Sequence, residues 1–257
     1  MPPMLIGMMA RYCRENMADK DSQVYKILDT SYEFMSLHTL TTIPSIAGIC
    51  FERQAAYLMR LRLLYLRSIK CKQFTFTLKD LLCIEGKLRG RNENMWWKRE
   101  SGDTVFQLPE DPDFNIVECS ADEIAEAIQR GGSTRGTIYI PNDAQKPGYD
   151  FVIHLPGEKN ISIVAQAKFS FSDSTTRLSN PDILHCLSKI ANTHKELASK
   201  TAAIAILCCR ECYKNVSAAE YTSGNCVINR VCKEIAVLDK CSFLDIVPYS
   251  MQSRMLI

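Results

Sequence analysis

The strongest pattern along the chain is PSIAGICFERQAAYLMRLRLLYLRSIK, residues 44–70. Leu58, Leu61, Leu64 and Leu66 give much of an apolar stripe, and Arg53, Arg60 and Arg67 repeat at seven-residue spacing on another side, which predicts a long helix. Pro44 and Ser45 supply its start signal. A weaker helical pattern runs over 18–40. FTFTLKDLLCI (74–84) is mixed and predicts a short helix, and KLRGRNENMWWKRESG (87–102) predicts a polar, basic loop. TVFQL (104–108) and NIVEC (115–119) read as strands. Ser120 with Glu123 three residues on forms a capping box. The helix it opens runs through DEIAEAIQR and stops at Gly131-Gly132. GTIYI (136–140) is a strand, and YDFVIHL (149–155) with ISIVAQAKFSF (161–171) predicts a hairpin turning at Pro156-Gly157. NPDILHCLSKIANTHKELASK (180–200) predicts a helix with Asn180 and Pro181 as starters. TAAIAILCC (201–209) is a buried-type strand, and IAVLD (235–239) and FLDIV (243–247) are late candidates. This order defines an α/β fold with a mixed central sheet flanked by helices. A helical segment, 1–43, precedes one domain over 44–257 that carries an insertion at roughly 71–135.

Composition narrows the class. The chain has 257 residues, 46% of them hydrophobic, enough for a sizeable core and against wholesale disorder. No apolar run approaches the ~20 residues of a membrane helix, and MPPMLIGMMARYC lacks the basic lead of a signal peptide. Several of the twelve cysteines, such as Cys50, Cys83 and Cys208, fall inside apolar runs, which points to buried, reduced thiols. Cys209 and Cys212 have zinc-like spacing, but Cys226 and Cys232 do not, so a zinc site is the weaker reading. Net charge is +2 but uneven: residues 41–100 hold twelve Lys/Arg against five Asp/Glu, and residues 101–160 hold four against eleven. That suits a basic nucleic-acid-facing surface beside an acidic pocket, and equally two solvated faces.

The candidate chemistry lies in the predicted hairpin. Alternation puts Gln166 and Lys168 on one face of their strand and the small Ala165 and Ala167 on the other. Asp150, Val152 and His154 share a face of the partner strand. Asp150 can lie beside the Gln166/Lys168 pair, although the sequence does not fix the register. A carboxylate and an amide oxygen are hard ligands suited to Mg²⁺ or Mn²⁺, and Lys168 is a point charge able to hold a phosphate. A bare carboxylate ~4 Å from a phosphate repels it by roughly 4 kcal/mol at an effective dielectric of 20, and a divalent ion reverses that sign. Glu52, flanked by apolar residues in the long helix, is the candidate second acid. The plainer alternatives are a helix-side ion pair for Glu52, a turn acid for Asp150, an edge strand for Gln166 and Lys168, and a hydrogen-bonded His154.

The helix with G-x-x-F-E, the strand bearing an acid after Pro147-Gly148 and the strand ending Q-x-K together resemble the PD-(D/E)XK restriction-endonuclease-like nucleases. The Q-x-K form is similar to Mrr-type enzymes and to the nuclease-like domains of Crinkler effectors and retrotransposon hot spot proteins. The resemblance covers roughly residues 44–210 and implies an α-β-β-β-α-β core. It implies Mg²⁺-dependent cleavage of DNA with Glu52, Asp150, Gln166 and the Ala167 carbonyl at the metal and Lys168 as the catalytic lysine. Gln166 departs from the commoner glutamate, which lowers the negative charge of the site. Lys189, on the helix after the Q-x-K strand, is a candidate for the DNA backbone. Arg89, Arg91, Trp96, Trp97, Lys98 and Arg99 mix cations with flat rings as single-strand binders do. DNA is the expected partner, a homodimer is an option, no membrane is expected, and the implied location is intracellular and nuclear (a host nucleus for a secreted effector). The alternative function is a catalytically inactive DNA-binding or effector module on the same fold.

Overall fold

The computed structural model describes residues 8–9, 11–12, 15–17, 19–36, 44–69, 75–82, 105–108, 114–130, 135–142, 147–155, 161–168, 179–193, 201–208 and 234–238. In chain order its elements are α1 (Gln23–Ser36), α2 (Pro44–Ile69), β1 (Thr75–Thr77), α3 (Leu78–Leu82), β2 (Val105–Gln107), β3 (Phe114–Cys119) and α4 (Ala121–Arg130), then β4 (Gly136–Pro141), β5 (Phe151–Leu155), β6 (Ile161–Lys168), α5 (Asn180–Thr193), β7 (Thr201–Cys208) and β8 (Glu234–Leu238). Strands β3 to β8 form one six-stranded sheet in sequence order, and β1 and β2 pair separately. The β3/β4, β6/β7 and β7/β8 pairs are parallel, and β5 is antiparallel to both its neighbours. The expected mixed α/β sheet flanked by helices is therefore present, with β5 the strand that runs against the rest.

A parallel pair needs a crossover, and α4 and α5 supply those of β3/β4 and β6/β7. Both helices lie on one face. Ile124 and Ile128 of α4 and Ile183, Cys186, Leu187 and Ile190 of α5 share a buried cluster with Val152, Val164, Ile204 and Ile206. The long helix α2 covers the opposite face, where Phe51, Ala55 and Leu58 join Phe151, Ile153, Ile163, Ala165 and Ala167. The two alanines let α2 approach β6, as their size predicts. With α1 packed against it as well, α2 is buried on most sides rather than along one stripe.

Polar side chains tie these layers together. Arg62 is nearly buried and donates to the carbonyls of Leu81 (3.0 Å) and Asp80 (2.9 Å), satisfying groups at the end of α3. Arg53 pairs with Glu118 at 2.8 Å, and Arg60 donates to the Phe114 carbonyl. Two of the three seven-spaced arginines thus fasten α2 to β3. Part of the positive excess of residues 41–100 is therefore engaged within the protein: Arg62 is buried and Arg60 half-buried, while the Arg53–Glu118 pair stays at the surface.

Local chemistry shifts some element boundaries. Within the mixed segment 74–84, Leu78–Leu82 form the expected short helix α3, and a strand precedes it. The alternating Thr75-Phe76-Thr77 makes a strand whose Phe76 stacks on Phe106 at 5.3 Å. Thr77 then caps α3, with the Asp80 amide donating to its Oγ1 and the Thr77 amide donating to Asp80. Helix α5 is opened by Ser179, whose amide and hydroxyl both donate to Asp182, so Asn180 and Pro181 follow the cap rather than form it. The box before α4 is as expected: the Ser120 amide donates to Glu123 Oε2 (2.8 Å) and the Glu123 amide donates to Ser120 Oγ (3.3 Å).

Those bonds from the Ser120 backbone and hydroxyl hold the Glu123 carboxyl below its usual range. Ser120→Ala is expected to cost about 1 kcal/mol, read as a fall of a few degrees in thermal midpoint. A depressed folded pKa gives stability that is present above the unfolded value and lost as pH falls through the folded one. The gap between wild type and Ser120→Ala is therefore expected to narrow as pH is taken below the normal glutamate range.

No described helix is long and apolar enough to cross a membrane. Cys50, Cys186 and Cys208 are buried thiols, as expected for Cys50 and Cys208. Cys83, Cys209, Cys212, Cys226, Cys232, the turn at Pro156-Gly157, Gly131-Gly132 and the FLDIV segment lie outside the described residues.

Candidate active site

The hairpin register pairs Phe151 with Ala165 and Leu155 with Ile161. Strand β6 is interior, hydrogen-bonded to β5 on one side and β7 on the other, so Gln166 and Lys168 do not lie on an edge strand. Lys168 ends β6, and Asp150 immediately precedes β5. Because β5 runs opposite to β6, the two meet at one rim of the sheet, where the parallel strands also end. That rim is where open α/β sheets bind ligands.

Simple alternation fails at Asp150, and the failure builds the site. The Phe151↔Ala165 pairing and alternation would turn the Asp150 amide toward β4. It donates instead to the Ala165 carbonyl at 2.9 Å. Two residues of one strand thus address one residue of the next, which is the arrangement of a β-bulge. Tyr149 and Val152 accordingly share the α5-side cluster, although regular alternation would separate them. Asp150 therefore does not simply share a face with Val152 and His154, as the sequence pattern suggested. The bulge turns its carboxylate onto the backbone of β6, where the Ala167 amide donates to Oδ2 at 2.7 Å. That amide belongs to the peptide joining Gln166 to Ala167. The acid is therefore hydrogen-bonded to the β6 backbone between Gln166 and Lys168 in the sequence.

The surroundings are nearly dry. Asp150 is 9% exposed and Gln166 4%, whereas Lys168 is half-buried. The Gln166 Oε1 atom is buried and accepts no hydrogen bond. By strand alternation the Ala167 carbonyl faces the same side as its amide, toward Asp150. Helix α5 closes the site from one face. A Cβ on Gly148 would fall 2.4 Å from the Lys189 carbonyl group and 2.7 Å from the Ile190 amide nitrogen, so this glycine is what lets the chain pass beneath α5. Burial pushes the Cys186 thiol upward, Lys168 and Lys189 pull it down, and Asp150 and Asp182 raise it; the thiol therefore sits within the field of both site charges.

Other candidates are placed less closely. Arg53 at Glu118 and Arg60 at Phe114 show that α2 runs against β3. Glu52, half-buried beside Arg53, therefore comes to the same rim from the opposite face. Lys189 is exposed on α5, close to Gly148. His154 is 1% exposed with Nδ1 3.4 Å from Ser162 Oγ, and it lies at the far end of β5, so it is a buried hydrogen-bonded histidine. Arg89, Arg91, Trp96, Trp97, Lys98 and Arg99 lie outside the described residues.

The sequence reading missed two features. Gly148 was readable only as part of a turn, because its role depends on a helix forty residues on. Cys186 carried a signal in its helical spacing with Ile183, Leu187 and Ile190, which places it on the buried face.

Chemically, the rim offers one firmly oriented carboxylate, a desolvated amide oxygen, a backbone carbonyl and an ammonium. Hard oxygen donors of this kind suit Mg²⁺ or Mn²⁺, with water completing the shell. The buried, unsatisfied Gln166 oxygen fits such a group, since leaving an acceptor dry costs about 1–3 kcal/mol. Among the described residues no three His, Cys, Asp or Glu side chains come close enough to hold a metal. A cation here would therefore depend on Gln166, the Ala167 carbonyl and water. No family model, curated protein or solved structure matches the chain.

Proposed function

We propose that this chain is a divalent-cation-dependent nuclease that hydrolyses DNA phosphodiester bonds at the Asp150/Gln166/Lys168 rim. The observations that carry the reading are the buried, unsatisfied Gln166 oxygen and, on the next residue of β6, the Ala167 amide that holds the Asp150 carboxylate. Asp150, Gln166 and the Ala167 carbonyl would hold the ion, with Glu52 as the acid available from α2. A divalent ion held there would supply polarisation of a phosphoryl oxygen and a more acidic water. Lys168 sits at the mouth, where its ammonium can hold the scissile phosphate and offset charge as water attacks phosphorus and the bond to the leaving oxygen breaks. The run α2–β4–β5–β6–α5–β7, with its antiparallel meander and parallel crossover, supports a restriction-endonuclease-like core.

A second reading is a DNA-binding module without cleavage. The neutral residue at 166 favours it, because one charge fewer weakens cation binding while Lys168 and Lys189 still attract phosphate. Incubating supercoiled plasmid with the purified chain separates the two. The nuclease reading expects nicked or linear product with Mg²⁺ or Mn²⁺ and none with a chelator. Salt-sensitive binding with no product under either condition would leave the second reading.

A further inference from the structure

The six-stranded sheet ends at β3, which among the described strands pairs with β4 alone. Its outer edge can be traced bond by bond. Along a strand, successive residues turn their N–H and C=O groups to alternate sides. The Asn142 amide donates to the Cys119 carbonyl at 3.0 Å, so Cys119, Val117 and Asn115 bond toward β4. Phe114, Ile116 and Glu118 therefore turn theirs outward. Arg60 donates to the Phe114 carbonyl and so closes that position from α2. No described residue bonds the outward backbone groups of Ile116 or Glu118. Between them, Val117 is 38% exposed. Open edges are ordinarily blunted by a lysine, a proline or a bulge. Strand β3, FNIVEC, has none of these and keeps unbroken register with β4. Its one charge, Glu118, is balanced by Arg53 at 2.8 Å.

We propose that β3 pairs with β3 of a second copy of this chain, antiparallel across a two-fold axis at Val117, to make one continuous sheet. The open edge is complementary to itself in that register. Ile116 faces Glu118 of the second copy and exchanges both backbone hydrogen bonds with it, and the symmetry repeats the exchange. The two Val117 side chains meet at the axis as a non-hydrogen-bonded pair, with Cα atoms about 4.5 Å apart. An axis at Ile116 would instead set Phe114 against Glu118, and the Phe114 carbonyl is already taken by Arg60. Each Glu118 lies opposite an isoleucine, so no like charges are opposed. The axis is perpendicular to the sheet, which puts the two Asp150/Lys168 rims at opposite ends of the assembly. The inference therefore does not rest on the nuclease reading. A contact of one short strand is small, so the dimer is weak and forms with rising concentration.

Sedimentation equilibrium of the full-length chain is expected to show a mass that rises from one copy toward two with concentration. Val117→Lys sets two ammoniums directly opposite and is expected to weaken self-association about fivefold or more. Its thermal midpoint should stay close to wild type, because the side chain is exposed. Val117→Cys is the second variant, since about 4.5 Å between Cα atoms is within disulfide range. Diamide is expected to cross-link it about tenfold faster than Val105→Cys, because association holds the paired thiols together. Val105 is exposed on β2, away from this edge, and wild type sets the background from native cysteines. Should Val117→Lys fail to fold, the wild-type mass and the cross-linking rates decide without it. A single-copy mass at every concentration, a dimer unaffected by Val117→Lys, or cross-linking no faster than in Val105→Cys would each overturn the inference.

Discussion

On the nuclease reading, Lys168→Ala is expected to lower metal-dependent DNA cleavage about 10²- to 10³-fold, the usual cost of removing a preorganised donor from a developing oxyanion. Single-turnover cleavage of a labelled duplex at saturating Mg²⁺ measures it. Lys168 is half-buried at the end of β6 and is not part of either core cluster. Its truncation should therefore leave the thermal midpoint close to wild type. Asp150→Ala would be a poorer test. It strands the Ala167 amide, and a buried unsatisfied donor costs about 1–3 kcal/mol on its own. Loss of cleavage there would mix chemistry with folding. Cleavage in Lys168→Ala within about threefold of wild type would remove the lysine from the mechanism.

Gly148→Ala is expected to be strongly destabilising for a single added methyl. The added carbon would sit 2.4 Å from backbone atoms of Lys189, and a helix backbone cannot rotate away as a side chain can. Either α5 lifts from the sheet or residues 147–150 move. Overpacking of this kind costs about 1–3 kcal/mol and at times more. For a chain of this size each kcal/mol lowers the midpoint by about 2–4 °C. The same shift would displace Asp150, two residues away, so cleavage should fall even where the variant remains folded. A thermal melt and a cleavage assay on one preparation read both. A midpoint unchanged within a degree would show that the close approach of Gly148 to α5 is not what holds this corner.

How much of this was legible beforehand follows from how local each signal is. Helix α2, the Ser120/Glu123 box and the β5–β6 hairpin are written in short-range periodicity and capping chemistry, and they emerge as expected. The mixed sheet follows from the order of elements. The Thr75–Thr77 strand was hidden because three residues are too few to establish a period, and its partner, Val105–Gln107, lies some thirty positions on. The site was legible as a set of residues but not as a geometry. Alternation correctly grouped Ala165 with Ala167. It misplaced Asp150, because a bulge depends on how two strands meet, which neither strand states alone. The arginines of α2 looked available for a partner until β3 was seen to consume two of them. Spacing puts Glu52 on α2, but its approach to the rim follows from how that helix lies across the sheet, with Arg53 at Glu118 and Arg60 at Phe114.

The sheet also has an unusually simple assembly history. Strands β3 to β8 lie side by side in the order in which they are made, so none must be threaded between two that are already paired. Each new strand adds to the growing flank, and its neighbour is the segment most recently synthesised. Contacts of short sequence separation form fastest because little loop entropy is lost before they are rewarded. The β5–β6 pair, close in sequence and antiparallel, is the natural nucleus. On this view the rim that carries Asp150 and Lys168 takes shape early, and the outer strands then close around a centre already in place.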